Sequence, residues 1–139
     1  MPATEENRNV TIANLVKKQR LRRPPFCASG VTVFEAAVEM AALEVHALAV
    51  VDGDKLIGII TDQDIIRCIA DSGGDFYEQT VAGWMTENPI TCAAGTNLST
   101  ALKRMAKHGI RNLVVVQRGV PVTIVGSTEI LSLAHEPTA

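Results

Sequence analysis

Apolar residues along this chain alternate between two spacings. Val33, Ala36, Ala37, Met40 and Ala41 recur at helical intervals, so they line one face of a helix. Thr32 stands just before that stripe, where an N-cap belongs. Two short apolar runs follow, Leu48 to Val51 and Leu56 to Ile60, around the polar Asp52-Gly53-Asp54. A Gly-containing turn between such runs predicts a β-hairpin. A helix from about Asp62 to Ala70 closes this stretch, and a short extended segment, Phe26-Cys27-Ala28, opens it ahead of a turn at Gly30.

The same succession then returns. Thr91-Cys92-Ala93 precedes a turn at Gly95, and Asn97 caps a stripe of Leu98, Ala101, Leu102, Met105 and Ala106, with Gly109 as the helix stop. Strands from Leu113 to Val116 and from Val120 to Val125 flank Arg118-Gly119, and a helix from about Ser127 to Ala134 ends the pattern. Moved by 65 residues, Pro24 falls on Pro89, Cys27 on Cys92, Gly30 on Gly95, Met40 on Met105 and Leu48 on Leu113. The lead-ins also correspond, Thr11 to Val16 with Thr80 to Met85, after which the first copy carries four extra residues within Lys17 to Arg23. An internal repeat governs the whole fold reading. A β-α-β-β-α unit of this size buries its sheet face poorly by itself. The predicted fold is therefore α+β, with two pseudo-twofold-related units packed sheet to sheet and clefts between them that suit ligands. The predicted organisation is a disordered N-terminus at 1–9, repeat 1 at 10–72, a linker at 73–79 within a loop from Asp71 to Gln79 that carries Ser72-Gly73-Gly74, repeat 2 at 80–135 and a tail at 136–139.

Composition narrows the function. Of 139 residues, 47% are hydrophobic and 20% charged, as in ordinary globular domains, with one Trp, one Tyr and three Phe. The core must therefore be built from Ala, Val, Ile and Leu. A formal net charge of -2 gives no general pull towards nucleic acid or an anionic membrane. Cys27, Cys68 and Cys92 form neither a disulfide framework nor a zinc pattern. No secretory leader or bilayer-length apolar run is visible, so the expected compartment is the reducing cytoplasm, with no membrane partner. No nucleophile–base–acid set, metal-ligand spacing or Gly-rich phosphate loop appears, and the expectation is a protein that is not an enzyme and holds no metal.

Three runs carry a family resemblance: Met85-Thr86-Glu87-Asn88-Pro89-Ile90, His108 to Val116, and Leu56-Ile57-Gly58-Ile59-Ile60-Thr61-Asp62-Gln63-Asp64-Ile65-Ile66. The last is similar to the Gly-x-x-Thr-x-x-Asp nucleotide signature of cystathionine-β-synthase-type (CBS) domains. Over roughly Thr11 to Leu133 the chain resembles a tandem CBS pair, the Bateman module. The resemblance implies a regulatory, energy-sensing module that stands alone and binds an adenine nucleotide or related adenosyl ligand. AMP is the foremost candidate, with ADP, ATP, NAD and S-adenosylmethionine as others. It also implies a flat homodimer, built here on Ile65, Ile66, Ile69, Ile130, Leu131 and Leu133, and a regulated protein partner.

Two readings of Thr61 and Asp64 stand side by side. Thr-x-x-Asp at a helix start is nearly a capping box, with the acid reaching back to the N-cap N–H. Within the family pattern, the Asp64 carboxylate would instead accept hydrogen bonds from a ribose diol, while the Thr61 hydroxyl and free helix N–H groups face an anion. Gly58 would let the backbone come close to whatever lies over the strand, and Ile60 would flank the site. The resemblance further implies that Ile90 and Thr91 lie against the base and that Arg111 points at phosphates, where its fork suits the oxygens. Asn112 stands where the family often has Arg, which weakens the case for triphosphates.

The matching run of the second copy is Thr123-Ile124-Val125-Gly126-Ser127-Thr128-Glu129. Gly126 supplies no hydroxyl, and Glu129 is one methylene longer than Asp64. Facing residues would be Pro25, Phe26, His46 and Ala47, with His46 at the place of Arg111. This second site is expected to be empty, weaker or built for a different ligand. The basic run Lys17, Lys18, Arg20, Arg22 and Arg23 reads as a solvated linker or a contact for anions, and nucleic acid is disfavoured because no aromatics interleave it. Cys27 and Cys92 read as small buried residues or redox sites, and Trp84 as an anchor for the linker. A ligand-free dimeric scaffold is the alternative to the sensor.

Overall fold

A computed structural model of the chain describes residues 10–134, so the polar segment 1–9 and the tail 136–139 lie outside the described residues. These residues form two compact units. Unit A spans Leu21–Pro89; unit B combines the chain before Leu21 with the chain from Ile90 onward.

The first helix, α1 (Ile12–Lys18), belongs to unit B. Unit A then runs β1 (Phe26–Cys27), α2 (Val33–Leu43), β2 (Ala47–Asp52), β3 (Lys55–Thr61), α3 (Asp62–Ser72) and β4 (Thr86–Glu87). Unit B continues with β5 (Thr91–Ala93), α4 (Leu98–His108), β6 (Asn112–Gln117), β7 (Val120–Gly126) and α5 (Ser127–Ala134). Both copies thus have the expected strand, helix, strand, strand, helix order. Unit A has a four-stranded sheet in the order β1-β2-β3-β4, whereas the described residues of unit B form three strands, β5-β6-β7. The first strand of each is parallel to the second and the remaining neighbours are antiparallel.

Local chemistry accounts for the elements. The Thr32 hydroxyl accepts the Glu35 N–H at 3.0 Å and the Asn97 carboxamide oxygen accepts the Thr100 N–H at 2.8 Å, so both expected N-caps form. At the other end of α4, Gly109 takes the left-handed conformation at φ +63°; at the matching end of α2, Glu44 is forced into it at φ +56°. The β6–β7 turn carries consecutive positive φ values, +53° at Arg118 and +79° at Gly119, which matches the twist of a two-residue hairpin. Each hairpin has a register shift at the same point of the repeat, between Val50 and Val51 and between Val115 and Val116. An unpaired residue there turns the strand end that follows.

The cores match the predicted stripes. In unit A, Leu48, Val50 and Ile60 pack beneath Val33, Ala36, Met40, Ile65 and Cys68. In unit B, Leu113, Val115 and Val125 pack beneath Leu98, Ala101, Met105 and Ile130. The lead-ins exchange places. Ile12, ahead of the first repeat, is fully buried in the second repeat's core, and Val81, ahead of the second, is fully buried in the first's. Ile12 N–H donates to the Thr96 carbonyl and Val81 N–H to the Val31 carbonyl, at 2.8 and 2.9 Å. Helix α1 has only seven residues and depends on this packing, since isolated helices that short are marginal in water.

Two expectations need correction. The segment after α3 is not a loop: α3 reaches Ser72, Gly73 ends it at φ +58°, and Gly73–Glu78 forms a 3₁₀ turn whose Phe76 packs on the core. Ile65 and Ile130 are not exposed helix residues either. They are core members, while Ile66, Ile69 and Leu131 are exposed, because the first two sit one turn along the face that meets the sheet.

Candidate functional site

Strand β3 leaves the unit A sheet at Thr61 and turns directly into α3. Thr61 is extended (φ -114°, ψ 167°) and caps the helix. Its backbone N–H donates to Asp64 Oδ2 at 2.9 Å, its hydroxyl donates to the same oxygen at 3.1 Å, and Asp64 N–H returns a bond to that hydroxyl at 3.3 Å. The capping box therefore forms. It also aims the carboxylate: Oδ2 is doubly engaged, while Oδ1 meets, among the described residues, only Arg67 Nη1, at 3.4 Å. Asp64 is 7% exposed, yet Arg67 beside it is exposed. A buried carboxylate with one oxygen committed and the other held by a displaceable side chain can accept a hydroxyl donor. Arg67, one helical turn beyond Asp64, was not singled out from the sequence; its i, i+3 spacing is the signal that points to it.

The neighbouring candidates divide. Ile60 lies wholly in the core, so only its backbone is available to a ligand. Gly58 pairs with Glu87 across the sheet and is covered from within unit A: a Cβ there would stand 2.6 Å from Met85 Sδ and 2.9 Å from the Thr86 carbonyl oxygen. What lies over this strand is the chain's own β4 lead-in. His46 is exposed, its Nδ1 sits 3.0 Å from Asp62 Oδ2, and its carbonyl accepts the Asp62 N–H at 3.0 Å. It thus stands at the start of α3, in the same unit as Asp64. Phe26 is half-buried on β1, paired with Ala49.

The remaining candidates belong to unit B. Ile90 packs against that core, and the Thr91 carbonyl accepts a bond from Arg104 Nη1 at 2.8 Å. Arg111 is exposed; its carbonyl accepts the Ser127 N–H at 2.8 Å, and Asn112 pairs with Gly126. Gly126 N–H donates to Glu129 Oε1 at 3.0 Å, so Glu129 replaces Asp64 as the acid of this helix start. Gln19 also reaches the junction. Its Nε2 donates to the Ile124 carbonyl at 2.8 Å and to Glu129 Oε2 at 3.3 Å, and its Oε1 accepts the Thr123 hydroxyl at 2.9 Å.

The other sequence features find plain roles. Arg23 forms a two-pronged ion pair with Glu39, which holds Glu39 below and Arg23 above their ordinary pKa ranges. Arg22 Nη2 donates to the Ala42 carbonyl at 2.7 Å near the end of α2. Two of the five basic residues therefore fasten this stretch to α2. Trp84 Nε1 donates to Gln79 Oε1 at 3.0 Å and its ring packs on the unit A core, an anchor as expected. Burial pushes the Cys27 thiol up to about 11, with Glu39 adding to the rise, and burial also raises Cys92 against the opposing pull of Arg104. Both are poor nucleophiles near neutral pH. Among the described residues there is no cluster of three or more His, Cys, Asp or Glu suited to a metal ion, and no helix long and apolar enough to cross a membrane.

Each of the two repeats ends in a strand-to-helix junction, and comparison with known proteins shows the family to which such paired repeats belong. The CBS domain family model matches twice, over residues 18–71 and 81–136. The chain belongs to the CBS-domain family and carries a pair of its repeats. It is 34% identical over 117 residues to a CBS domain-containing protein of Arabidopsis thaliana, CBSCBSPB2, covering 84% of this chain and 22% of that protein. The chain thus spans about a fifth of that relative's length. A CBS-domain-containing protein of Agrobacterium tumefaciens has the same fold, with a TM-score of 0.82 at 21% identity over 89% of this chain and 98% of that one. The CBS pair of protein MJ0100, solved with 5′-methylthioadenosine and S-adenosyl-L-methionine, is 28% identical with a TM-score of 0.75, over 95% of this chain and 96% of that one.

Proposed function

We propose that this chain is a cytoplasmic, non-catalytic sensor that binds one adenosyl ligand at the β3–α3 junction, with Thr61 and Asp64 holding the ribose. The observation that carries this is the Asp64 carboxylate, buried and aimed by Thr61, with Oδ1 left to a single 3.4 Å contact from an exposed arginine. A ribose diol donating to Oδ1 needs to displace only that contact, and Arg67 can swing to solvent without being orphaned. The proposal assigns base contacts to Ile90 and Thr91 and the phosphate to Arg111, with Asn112 beside it. AMP is the foremost ligand; ADP, ATP, NAD and S-adenosylmethionine are the other members of the class, which the MJ0100 ligands support. The ligand acts on the module only through its different affinity for two arrangements of it, read out as a conformational or homodimer change sensed by a protein partner. Of the residues expected at the dimer face, Ile66 and Ile69 of unit A and Leu131 of unit B are exposed apolar side chains, which supports the homodimer reading.

The test is thermal melting against AMP, ADP, ATP, NAD, S-adenosylmethionine and guanine and pyrimidine controls. At about 100 times its dissociation constant a ligand adds roughly 2.7 kcal/mol. For a chain of this size that raises Tm by roughly 10 °C. Adenine ligands are expected to shift the wild type and to lose the shift in Asp64→Ala; Arg111→Ala is expected to weaken AMP more than 5′-methylthioadenosine, which lacks phosphate. No shift with any adenine ligand would reduce Thr61 and Asp64 to a helix cap and favour the ligand-free scaffold.

A further inference from the structure

The two strand-to-helix junctions differ in one respect that the repeat pattern does not announce. In unit A, the free edge of β3 is paired by β4, with Gly58 opposite Glu87 and Ile59 opposite Thr86. In unit B, β7 has no such neighbour among the described residues. The chain lead-in reaches it with a side chain instead. Gln19, just past α1, carries a primary amide, which has the donor and acceptor of a peptide unit. Its N–H group donates to the Ile124 carbonyl at 2.8 Å and its oxygen accepts the Thr123 hydroxyl at 2.9 Å. The carboxamide therefore substitutes for the missing fourth strand. Thr123, 5% exposed, stands at the place of Gly58, so its hydroxyl needs a partner that glycine does not.

The same amide nitrogen also donates to Glu129 Oε2 at 3.3 Å, while Glu129 Oε1 accepts the Gly126 N–H at 3.0 Å. Both oxygens of the residue that stands where Asp64 stands in the first copy are thus committed inside unit B. Asp64 keeps one oxygen against a displaceable surface arginine; Glu129 gives its second oxygen to a residue tethered on both other sides. A ribose that took Gln19's place would leave the Thr123 hydroxyl and the Ile124 carbonyl without their partner, and unpaired buried groups are costly.

We propose that Gln19 is a built-in occupant of the second junction and the residue that limits this chain to one adenosyl ligand. This rests on the ribose-binding reading of the first junction. Its test uses the full chain, with AMP binding followed by isothermal titration calorimetry in the wild type, Asp64→Ala, Gln19→Ala and the double variant. The wild type is expected to bind one AMP per chain, Asp64→Ala none, and the double variant to regain a single site at least tenfold tighter than any binding left in Asp64→Ala. Gln19→Met, which keeps the bulk and loses all three hydrogen bonds, replaces Gln19→Ala if circular dichroism finds the latter unfolded. Two AMP per wild-type chain, or a folded double variant that binds no better than Asp64→Ala, would overturn the proposal. A wild type that binds nothing would refute the ribose reading of Asp64 instead, and the double variant would still decide the role of Gln19.

Discussion

Gly58→Ala tests whether the family-signature glycine serves packing inside unit A. A methyl group at this position would stand 2.6 Å from Met85 Sδ, 3.1 Å from Met85 Cγ and 2.9 Å from the Thr86 carbonyl oxygen. The thioether can turn away, because Met is flexible. The carbonyl cannot, because Thr86 pairs with Ile59 and Glu87 with Gly58. The substitution must therefore push β4 off the β3 edge or shift the strand. Overpacking of this kind costs about 1–3 kcal/mol, and at roughly 4 °C per kcal/mol for a chain of this size Tm falls by roughly 4–12 °C. Circular dichroism melting and urea titration measure it. Met85→Ala on the Gly58→Ala background removes the sulfur contact and leaves the carbonyl, so the pair is expected to be less destabilised than the sum of the singles by about 1 kcal/mol. Gly95→Ala is the control: nothing lies within 4 Å of its added methyl, and the effect should stay within about 0.5 kcal/mol. A Gly58→Ala chain that melts within about 1 °C of the wild type, or strict additivity with Met85→Ala, would refute the packing argument.

Glu44→Gly should stabilise the chain by about 0.5–1 kcal/mol, seen as a raised urea midpoint, because it puts at the end of α2 the residue that Gly109 already supplies at the end of α4. Thr61→Ala should cost about 1 kcal/mol of stability through the lost cap at α3, measured in ligand-free protein so that it is separate from binding. Cys27, held up to about 11 by burial, should react with iodoacetamide at pH 8 far more slowly than a free thiol. Its raised value also means that folding holds its proton: the associated stability is present below about pH 9 and is lost as pH rises towards 11, which pH-dependent unfolding of Cys27→Ala against the wild type isolates.

Much of this protein was legible in its chain. Helical stripes such as Val33, Ala36 and Met40, the caps Thr32 and Asn97 and the hairpin turns at Gly53 and Gly119 are set by neighbours within a few residues, and local backbone chemistry decides them wherever the core lies. The 65-residue repeat likewise placed Thr61 and Asp64 at equivalent junctions to Gly126 and Glu129. The misread parts are those where burial acts at a distance. Ser72-Gly73-Gly74 has the composition of a loop, yet Phe76 finds the core and the segment winds into a 3₁₀ turn. Ile65 and Ile130 look like Ile66 and Leu131 in the sequence, and only the position of the sheet sorts them into core and surface. Arg67 and Gln19 had no motif to mark them, and Met85, although inside a run that carries the resemblance, had nothing local to mark it as the packing neighbour of Gly58. Local periodicity determines which elements form and where they cap, but it cannot say which sheet a lead-in will cover. Ile12 and Val81 each bury in the other repeat's core, and that exchange alone brings Gln19 to Thr123 and Glu129, because a short apolar segment goes to whichever exposed core edge it can seal.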